Sequence, residues 1–389
     1  MRWKFVTEET AGESVERAAV KQRIAKWWQS FAERINDLDA LFANKTEWDL
    51  PGWMHDQLNA ISPELMWEFG PGLLGGHRLV ITPETSHHLR PMVDEILASA
   101  PKISGWEFYS HRLPEGFDQA TLTVDARGGG MLSAMHFQLT GGDFHRVDVR
   151  CLVKPDYPRD LMKATGFVAI ETLLGEELLD RWIGHIDHEV VSEFPPDAVQ
   201  GGGLLNEARL IISQIVASLP SDTWIGRCEK IQWSLFTLKP TAADEYPGRR
   251  DQLTQVSPYP ELHQCIFNSS AFDSVRFSRC GEIFAFVKID GKEGLPDWGF
   301  KDREDIEKAL QAGLEATGLG SMIGGGNGLR YCYVDLALLD VIRAVPVIRE
   351  VLARGGVSTR SWLLFSDRDF SEEWIGIYPE SPPPPLEIE

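Results

Sequence analysis

The sequence predicts an α+β protein of two packed αβ-sandwich domains, the C-terminal one ferredoxin-like, with an N-terminal helical cap. Three observations predict it. A phrase near each end reads alike: Trp106-Glu107-Phe108-Tyr109-Ser110-His111-Arg112 and Trp362-Leu363-Leu364-Phe365-Ser366-Asp367-Arg368. Each phrase follows a strand pattern and an amphipathic helix pattern: Leu79-Val80-Ile81 with 88–100, and Tyr331-Cys332-Tyr333-Val334 with 340–354. A strand–helix–strand unit is therefore expected in each half. Between the halves, Pro195-Pro196 and Gly201-Gly202-Gly203 bracket a boundary. It separates an N-terminal domain (1–198) from a C-terminal one (204–380), followed by a Pro-rich tail (381–389).

The elements follow in order. Within 15–44, Val20, Ile24, Trp27, Trp28, Phe31, Ile35, Leu38 and Phe42 recur at spacings of three and four, the stripe of an amphipathic helix. A second helix covers 53–61 and stops at Ser62-Pro63. Strands are expected at 65–70 and 77–82, then the helix 88–100 and the strand 106–112. Ala120–Asp125, Ser133–Leu139 and Arg146–Val153 read as strands joined at Gly128-Gly129-Gly130 and Gly141-Gly142. A helix spans 160–182 and a strand 185–194. Beyond the boundary come the helix 204–218, the strand 230–238 and a long charged loop over 240–260. Strands at 263–269 and 282–289 lead to the helix 302–316. A Gly-rich turn at 324–328 introduces the strand–helix–strand unit 329–367, and 374–378 adds a last strand. From 282 the order β-α-β-α-β-β approaches a ferredoxin-like sandwich. The tail at Pro382–Pro385 is expected to be extended or disordered. Trp106 and Trp362 each open a strand directly after a helix and are expected to anchor the helix–sheet junction.

With 58 acidic against 38 basic residues the formal net charge is −20. Such a surface repels phosphate backbones and anionic lipid, so no nucleic-acid and no membrane partner is expected, while a basic protein partner fits. The cysteines at 151, 228, 265, 280 and 332 form no Cys-x-x-Cys pair, and neither a disulfide framework nor a zinc site is expected. Glu8, Glu9 and Glu13 interrupt any signal-peptide core, and no window approaches a membrane span, which makes the cytoplasm the expected compartment.

Chemistry is harder to place. Gly324-Gly325-Gly326-Asn327-Gly328 offers backbone amides that could cradle an anion, with Arg330 beside them. Its spacing matches neither a nucleotide-binding P-loop nor a dinucleotide fingerprint, and Asn327-Gly328 is a tight-turn pair, so a turn is preferred. Gly324, Gly325, Gly326, Asn327 and Arg330 stand as the cofactor-site candidates, although no cofactor is expected. On a strand, His185, Asp187 and Glu189 would share one face and offer metal ligands, with His188 turned away. Nothing elsewhere completes that set, and no metal is expected. His87-His88 sits at a helix start capped by Ser86 or Thr85. His263 and Cys265 would share one strand face, with no third group to orient them. Asp335, Asp340, Asp367 and Asp369 flank strand ends; Asp340 caps a helix, and Asp367-Arg368-Asp369 reads as a turn.

The set Trp27-Trp28-x-x-Phe31, Trp67-Glu68-Phe69-Gly70, Leu79-Val80-Ile81-Thr82 and Ala100-Pro101 before Trp106 resembles an uncharacterised family of bacterial proteins of similar length. The Gly-rich run, Tyr331-x-Tyr333-Val334-Asp335-Leu336 and Ser361-Trp362-Leu363-Leu364-Phe365 resemble that family's closing part. The resemblance implies a bacterial protein and transfers no activity. The functional expectation is a non-enzymatic, acidic protein-binding protein, of the immunity type. The alternative is an enzyme or a ligand- or metal-binding protein with a site near His185–Glu189 or Gly324–Gly328.

Overall fold

In a computed structural model, residues 1–227, 231–268 and 270–385 are described. Cys228, Ser269, the start of the expected strand 230–238 and the end of the tail lie outside them. The chain forms two units. One is Ala11–Ser218; the other joins Met1–Thr10 to Leu219–Glu389. The chain contains both helices and sheets, as expected for an α+β protein, and each of the three sheets lies within one unit.

The unit 11–218 holds two sheets. Helices α1 (Ala11–Glu33), α2 (Ile35–Phe42) and α3 (Leu50–Asn59) precede strands β1 (Met66–Pro71) and β2 (His77–Thr82), helix α4 (Arg90–Ala98) and strand β3 (Trp106–Tyr109). The sheet order is β1-β2-β3, with β2 and β3 paired in parallel. Trp27, Trp28 and Phe31 recur on one face of α1 because 3.6 residues make a turn. Trp28 lies 4.8 Å from Phe108 and donates from its indole to Ile96 O at 2.8 Å, while Phe31 meets Trp106 edge-on at 5.1 Å.

Helix α5 (Phe117–Gly128) follows, then β4 (His136–Gly141), β5 (Val147–Val153), α6 (Arg159–Leu174), α7 (Glu176–Trp182), β6 (Ile183–Val190), β7 (Val199–Gln200) and α8 (Gly201–Ser218). The second sheet runs β6-β5-β4-β7. Ala120–Asp125 is thus helix and not strand. Its β-branched residues favour a strand locally, yet Ala120, Val124 and Gly128 recur every fourth residue and are all buried. Gly129 ends that helix at φ 71°, so the glycines there form a helix cap and no hairpin. Helix α8 buries Leu204 and Ala208 in this sheet's core. For that reason the division falls after Ser218, and not at the expected 195–203.

The other unit carries one seven-stranded sheet. Its strands are β8 (Ser234–Thr237), β9 (Gln252–Ser257), β10 (Ile283–Asp290), β11 (Gly320–Gly328), β12 (Tyr331–Leu338), β13 (Ser361–Phe365) and β14 (Trp374–Gly376). Helices α9 (Pro260–Phe267), α10 (Arg303–Thr317) and α11 (Val341–Arg354) connect them. The order is β14-β13-β10-β12-β11-β9-β8, and every neighbouring pair is antiparallel. Ala285, Val287 and Ile289 of β10 and Val334, Leu336 and Leu338 of β12 share a core with Ile306, Leu310 and Leu314 of α10 and Ile348 and Leu352 of α11. Alternation in the strands and four-residue steps in the helices produce that match.

Three expectations change here. The 263–269 stretch is helix α9: a short apolar run does not distinguish strand from helix, and Pro260 presets the first turn. The loop 240–260 contains β9. The Gly-rich turn 324–328 is the end of buried strand β11, and the chain reverses after it, with Asn327 paired to Cys332.

The first ten residues belong to this unit. Phe5 stacks on Phe365 at 4.4 Å, and the Glu373 carboxylate accepts from the amides of Trp3, Lys4 and Phe5 at 2.5, 3.1 and 2.9 Å. Arg349 of α11 pairs with Glu8 at 2.9 Å. The tail packs too. Ser381 and Pro384 are buried, and the Trp362 indole donates to Pro382 O, because an otherwise unpartnered buried N–H needs an acceptor. Among the described residues no helix is long and apolar enough to cross a membrane.

Candidate functional site

Alternation in β10, β12 and β13 turns Phe286, Lys288, Asp290, Tyr331, Tyr333, Asp335 and Trp362 away from α10 and α11. The 238–251 segment covers much of this second face. Lys288 is fully buried; its Nζ donates to Tyr246 O and, at 2.9 Å, to Gly248 O, and lies 4.1 Å from the Tyr331 ring centre. Burial pushes its pKa down to about 8. Asp251 accepts from the Tyr333 hydroxyl and from the amides of Arg330 and Tyr331, both at 2.8 Å. Asp335 pairs with Arg249, accepts from Gln255 Nε2 at 2.7 Å and lies 3.7 Å from His263 Nε2. Burial alone would raise the Asp335 carboxyl, but the Arg249 guanidinium, helped by the Gln255 hydrogen bond, outweighs it and holds it below the usual range. Burial pushes His263 down to about 4, so its ring is neutral.

This packed polar layer explains the glycines. A Cβ at Gly326 would lie 2.1 Å from Thr254 O and 2.3 Å from Gln252 Nε2; one at Gly325 would lie 2.3 Å from Glu307 Oε1. Something does approach the backbone closely at these positions, and it is the protein's own side chains and the neighbouring strand. Burial raises Glu307, which stands over Gly325, to about 7.

The layer opens at one edge into a cleft of about 270 Å³ between Glu245, Asp290, Lys292, Arg330, Ser358 and Arg360. Asp290 is buried and accepts from Arg330 Nη2 at 2.6 Å, Arg360 Nε at 2.9 Å and the Lys292 amide at 2.9 Å. Burial works against its charge, but the Arg330 hydrogen bonds prevail and its pKa is lowered. Glu245 sits above Asp290. It accepts from Arg330 Nη1, from Arg360 Nη2 at 2.6 Å and from the Tyr331 hydroxyl at 3.0 Å. The two guanidiniums therefore hold one buried and one half-exposed carboxylate between them.

The unit 11–218 presents two further features. At the C-terminal ends of parallel β2 and β3, Arg90 pairs with Glu176 at 2.6 Å and Asp180 at 3.0 Å, while Arg112 pairs with Glu171 at 3.2 Å and with Glu84. Each guanidinium there is held between carboxylates. Between β1 and β2, the turn Gly72–Gly76 projects Leu73 and Leu74, which are 67% and 94% exposed. Their amides donate to the Glu107 carboxylate at 3.1 and 2.8 Å, and the Tyr109 hydroxyl bonds the same carboxylate. That Tyr109 bond, followed by the Leu74 amide, lowers the Glu107 pKa.

The other candidates from the sequence are dispersed. His185, Asp187 and Glu189 do share one exposed face of β6, and His188 turns inward, its ring facing Gly166 of α6. Glu189 is paired with Arg150, and the His185 amide donates to Asp148 at 2.8 Å. Among the described residues no group of three or more His, Cys, Asp or Glu is placed to hold a metal ion. His263 and Cys265 lie on helix α9 and not on a strand, so two-residue spacing separates them: His263 approaches Asp335, while Cys265 lies 3.9 Å from Ser270 O. Ser86 bonds Glu64 instead of capping a helix, whereas Asp340 does cap α11, accepting from Arg343 N at 3.0 Å. Asp367 accepts from Ser274 N and Oγ, both at 2.6 Å. Arg330 alone of the glycine-run candidates reaches the cleft. Its partners Glu245, Asp290 and Arg360 come from loops and strand ends far apart in sequence, and no local motif announces them. No protein family, curated protein or solved structure matches the chain.

Proposed function

We propose that this is a non-enzymatic protein-binding protein of the immunity type, resident in the bacterial cytoplasm, that docks a basic partner through Leu73 and Leu74. The observation that carries the reading is the paired leucines held out on a clamped turn. Burying a leucine in a partner contributes about 1.5–3 kcal/mol, and a turn already fixed by Glu107 has less entropy left to lose on binding. A groove lined by Leu97, Pro101, Ile103, Trp106 and Phe108 belongs to the same unit, and His77, next to the turn, bonds Gly105 between two of its residues. The net charge of −20 favours a basic partner and rapid, salt-sensitive association.

For the C-terminal unit, β10-α10-β11-β12-α11-β13 with spatial order β13-β10-β12-β11 supports a ferredoxin-like reading, widened by β14 on one side and by β9 and β8 on the other.

The test is affinity capture from the native host with the wild type and with Leu74→Asp, each eluted on a salt gradient. The expected outcome is a basic protein released by rising salt and absent from the variant, whose melting temperature is unchanged. Capture of an acidic protein, or capture indifferent to both salt and Leu74→Asp, would overturn the reading.

A further inference from the structure

We propose that Arg330, Arg360 and the Tyr331 hydroxyl form a receptor for a small oxyanion, and that the Glu245 side chain occupies it in the free protein. The site is built from beneath. Buried Asp290 bonds Arg330 through Nε and Nη2 and Arg360 through Nε, which fixes both guanidinium planes and leaves Arg330 Nη1 and Arg360 Nη2 directed to one point. The Tyr331 hydroxyl faces the same point. Three converging donors with two positive charges suit a carboxylate or phosphate, and the group now there is a carboxylate.

That carboxylate differs from Asp290 in two respects. It is 40% exposed, where Asp290 is 4% exposed. It also stands on a segment whose backbone is pinned apart from it: Tyr246 O, the next residue, accepts from buried Lys288, and Asp244 O accepts a second, longer bond from Arg330 Nη1 at 3.3 Å. Rotation of the Glu245 side chain alone would vacate the donors without unfolding the segment. With Glu245 in place the cleft's formal charges cancel, since Arg330, Arg360 and Lys292 face Asp290, Glu245 and Glu293. With Glu245 turned away one positive charge remains. The local preference for an anion therefore holds despite the acidic surface as a whole. A tethered carboxylate competes at a high effective concentration, so a free anion binds weakly until Glu245 yields.

The experiment titrates inorganic phosphate, and separately succinate, into the wild type, Glu245→Ala, Glu245→Gln and the double variant Glu245→Ala/Arg360→Gln, by calorimetry at low ionic strength. The single variants should bind one of the two anions about tenfold or more tighter than the wild type. Adding Arg360→Gln should abolish that gain. Preference for phosphate assigns the receptor to free phosphate or a phosphate ester, and preference for succinate assigns it to a carboxylate. Unchanged affinity in folded single variants, or equal affinity in the double variant, overturns the proposal. Glu245→Gln keeps an acceptor for Tyr331 and the two arginines, so it tests the charge even where the alanine variant loses its fold. The outcome is independent of Leu73 and Leu74, which lie in the other unit.

Discussion

The two strand–helix–strand segments, β2-α4-β3 and β12-α11-β13, are spelled alike and built differently. In the first, the strands are parallel neighbours, with His77 beside Trp106 and Val80 beside Tyr109. In the second, β10 lies between them, pairing antiparallel with both. Trp106 accordingly belongs to an aromatic group with Phe31, Phe42, Phe69 and His77, whereas Trp362 lies beside Lys288 and Tyr331, with its indole tied to Pro382. The difference teaches that a strand, a helix and an aromatic-led strand specify a local crossover and leave open whether a third strand enters it. The likeness continues to the residue after each closing serine. Burial pushes both His111 and Asp367 towards their uncharged forms, His111 down to about 4 and Asp367 up to about 7.

The largest expected effect comes from Trp362→Ala. The ring is fully buried between strands, and its loss should cost about 3–5 kcal/mol in chemical denaturation. Trp106→Ala should fall at the lower end, about 3 kcal/mol, because Trp106 is buried to 8% exposure rather than 0% and lies closer to the surface. A larger loss at Trp106 than at Trp362 would reverse the proposed ranking of the two anchors. Next comes Gly326→Ala, at about 1–3 kcal/mol, since the added methyl meets backbone oxygen. Gly325→Ala should cost less, because its nearest contact is the end of the Glu307 side chain and the backbone oxygen it meets, Tyr333 O, lies at 2.7 Å against 2.1 Å for Thr254 O at Gly326. Equal melting temperatures for these two variants would refute that explanation of the glycine strand.

The last effects are slopes with pH, of opposite sign. In the unfolded chain His111 takes up a proton near 6.5, but in the fold only near 4. Its contribution is full above 6.5 and is lost as pH falls towards 4. Asp367 ionises near 3.8 when unfolded and near 7 when folded, so its contribution is full below 3.8 and is lost as pH rises towards 7. Melting curves between pH 4 and 7 should therefore lose a rising component in His111→Asn and a falling one in Asp367→Asn. Variants that change the slope in the same direction would break the comparison.

Much of the architecture was legible because periodicity is a local property. The Trp27-Trp28-Phe31 stripe, the alternation in β10 and the Asp340 cap all follow from neighbours in sequence. The failures share a cause. Ala120–Asp125 contains strand-forming residues on a helical core spacing, and tertiary packing decides between them. Gly324–Gly328 has a side chain only at Asn327, so it carries no periodicity. It becomes a strand because Thr254, Gln252 and Glu307 leave room for nothing else. The cleft was legible only at Arg330. Glu245, Asp290 and Arg360 meet it through sheet order, which no short stretch of sequence encodes.

Phe5 and Phe365 belong to one core, with the whole of Ala11–Ser218 synthesised between them. At roughly 5–20 residues per second, Phe5 leaves the ribosome on the order of tens of seconds before its partner exists. The intervening unit is complete by then and can fold first. The opening segment, with Trp3 and Phe5 uncovered, has to wait unassembled until Phe365 and Glu373 are made.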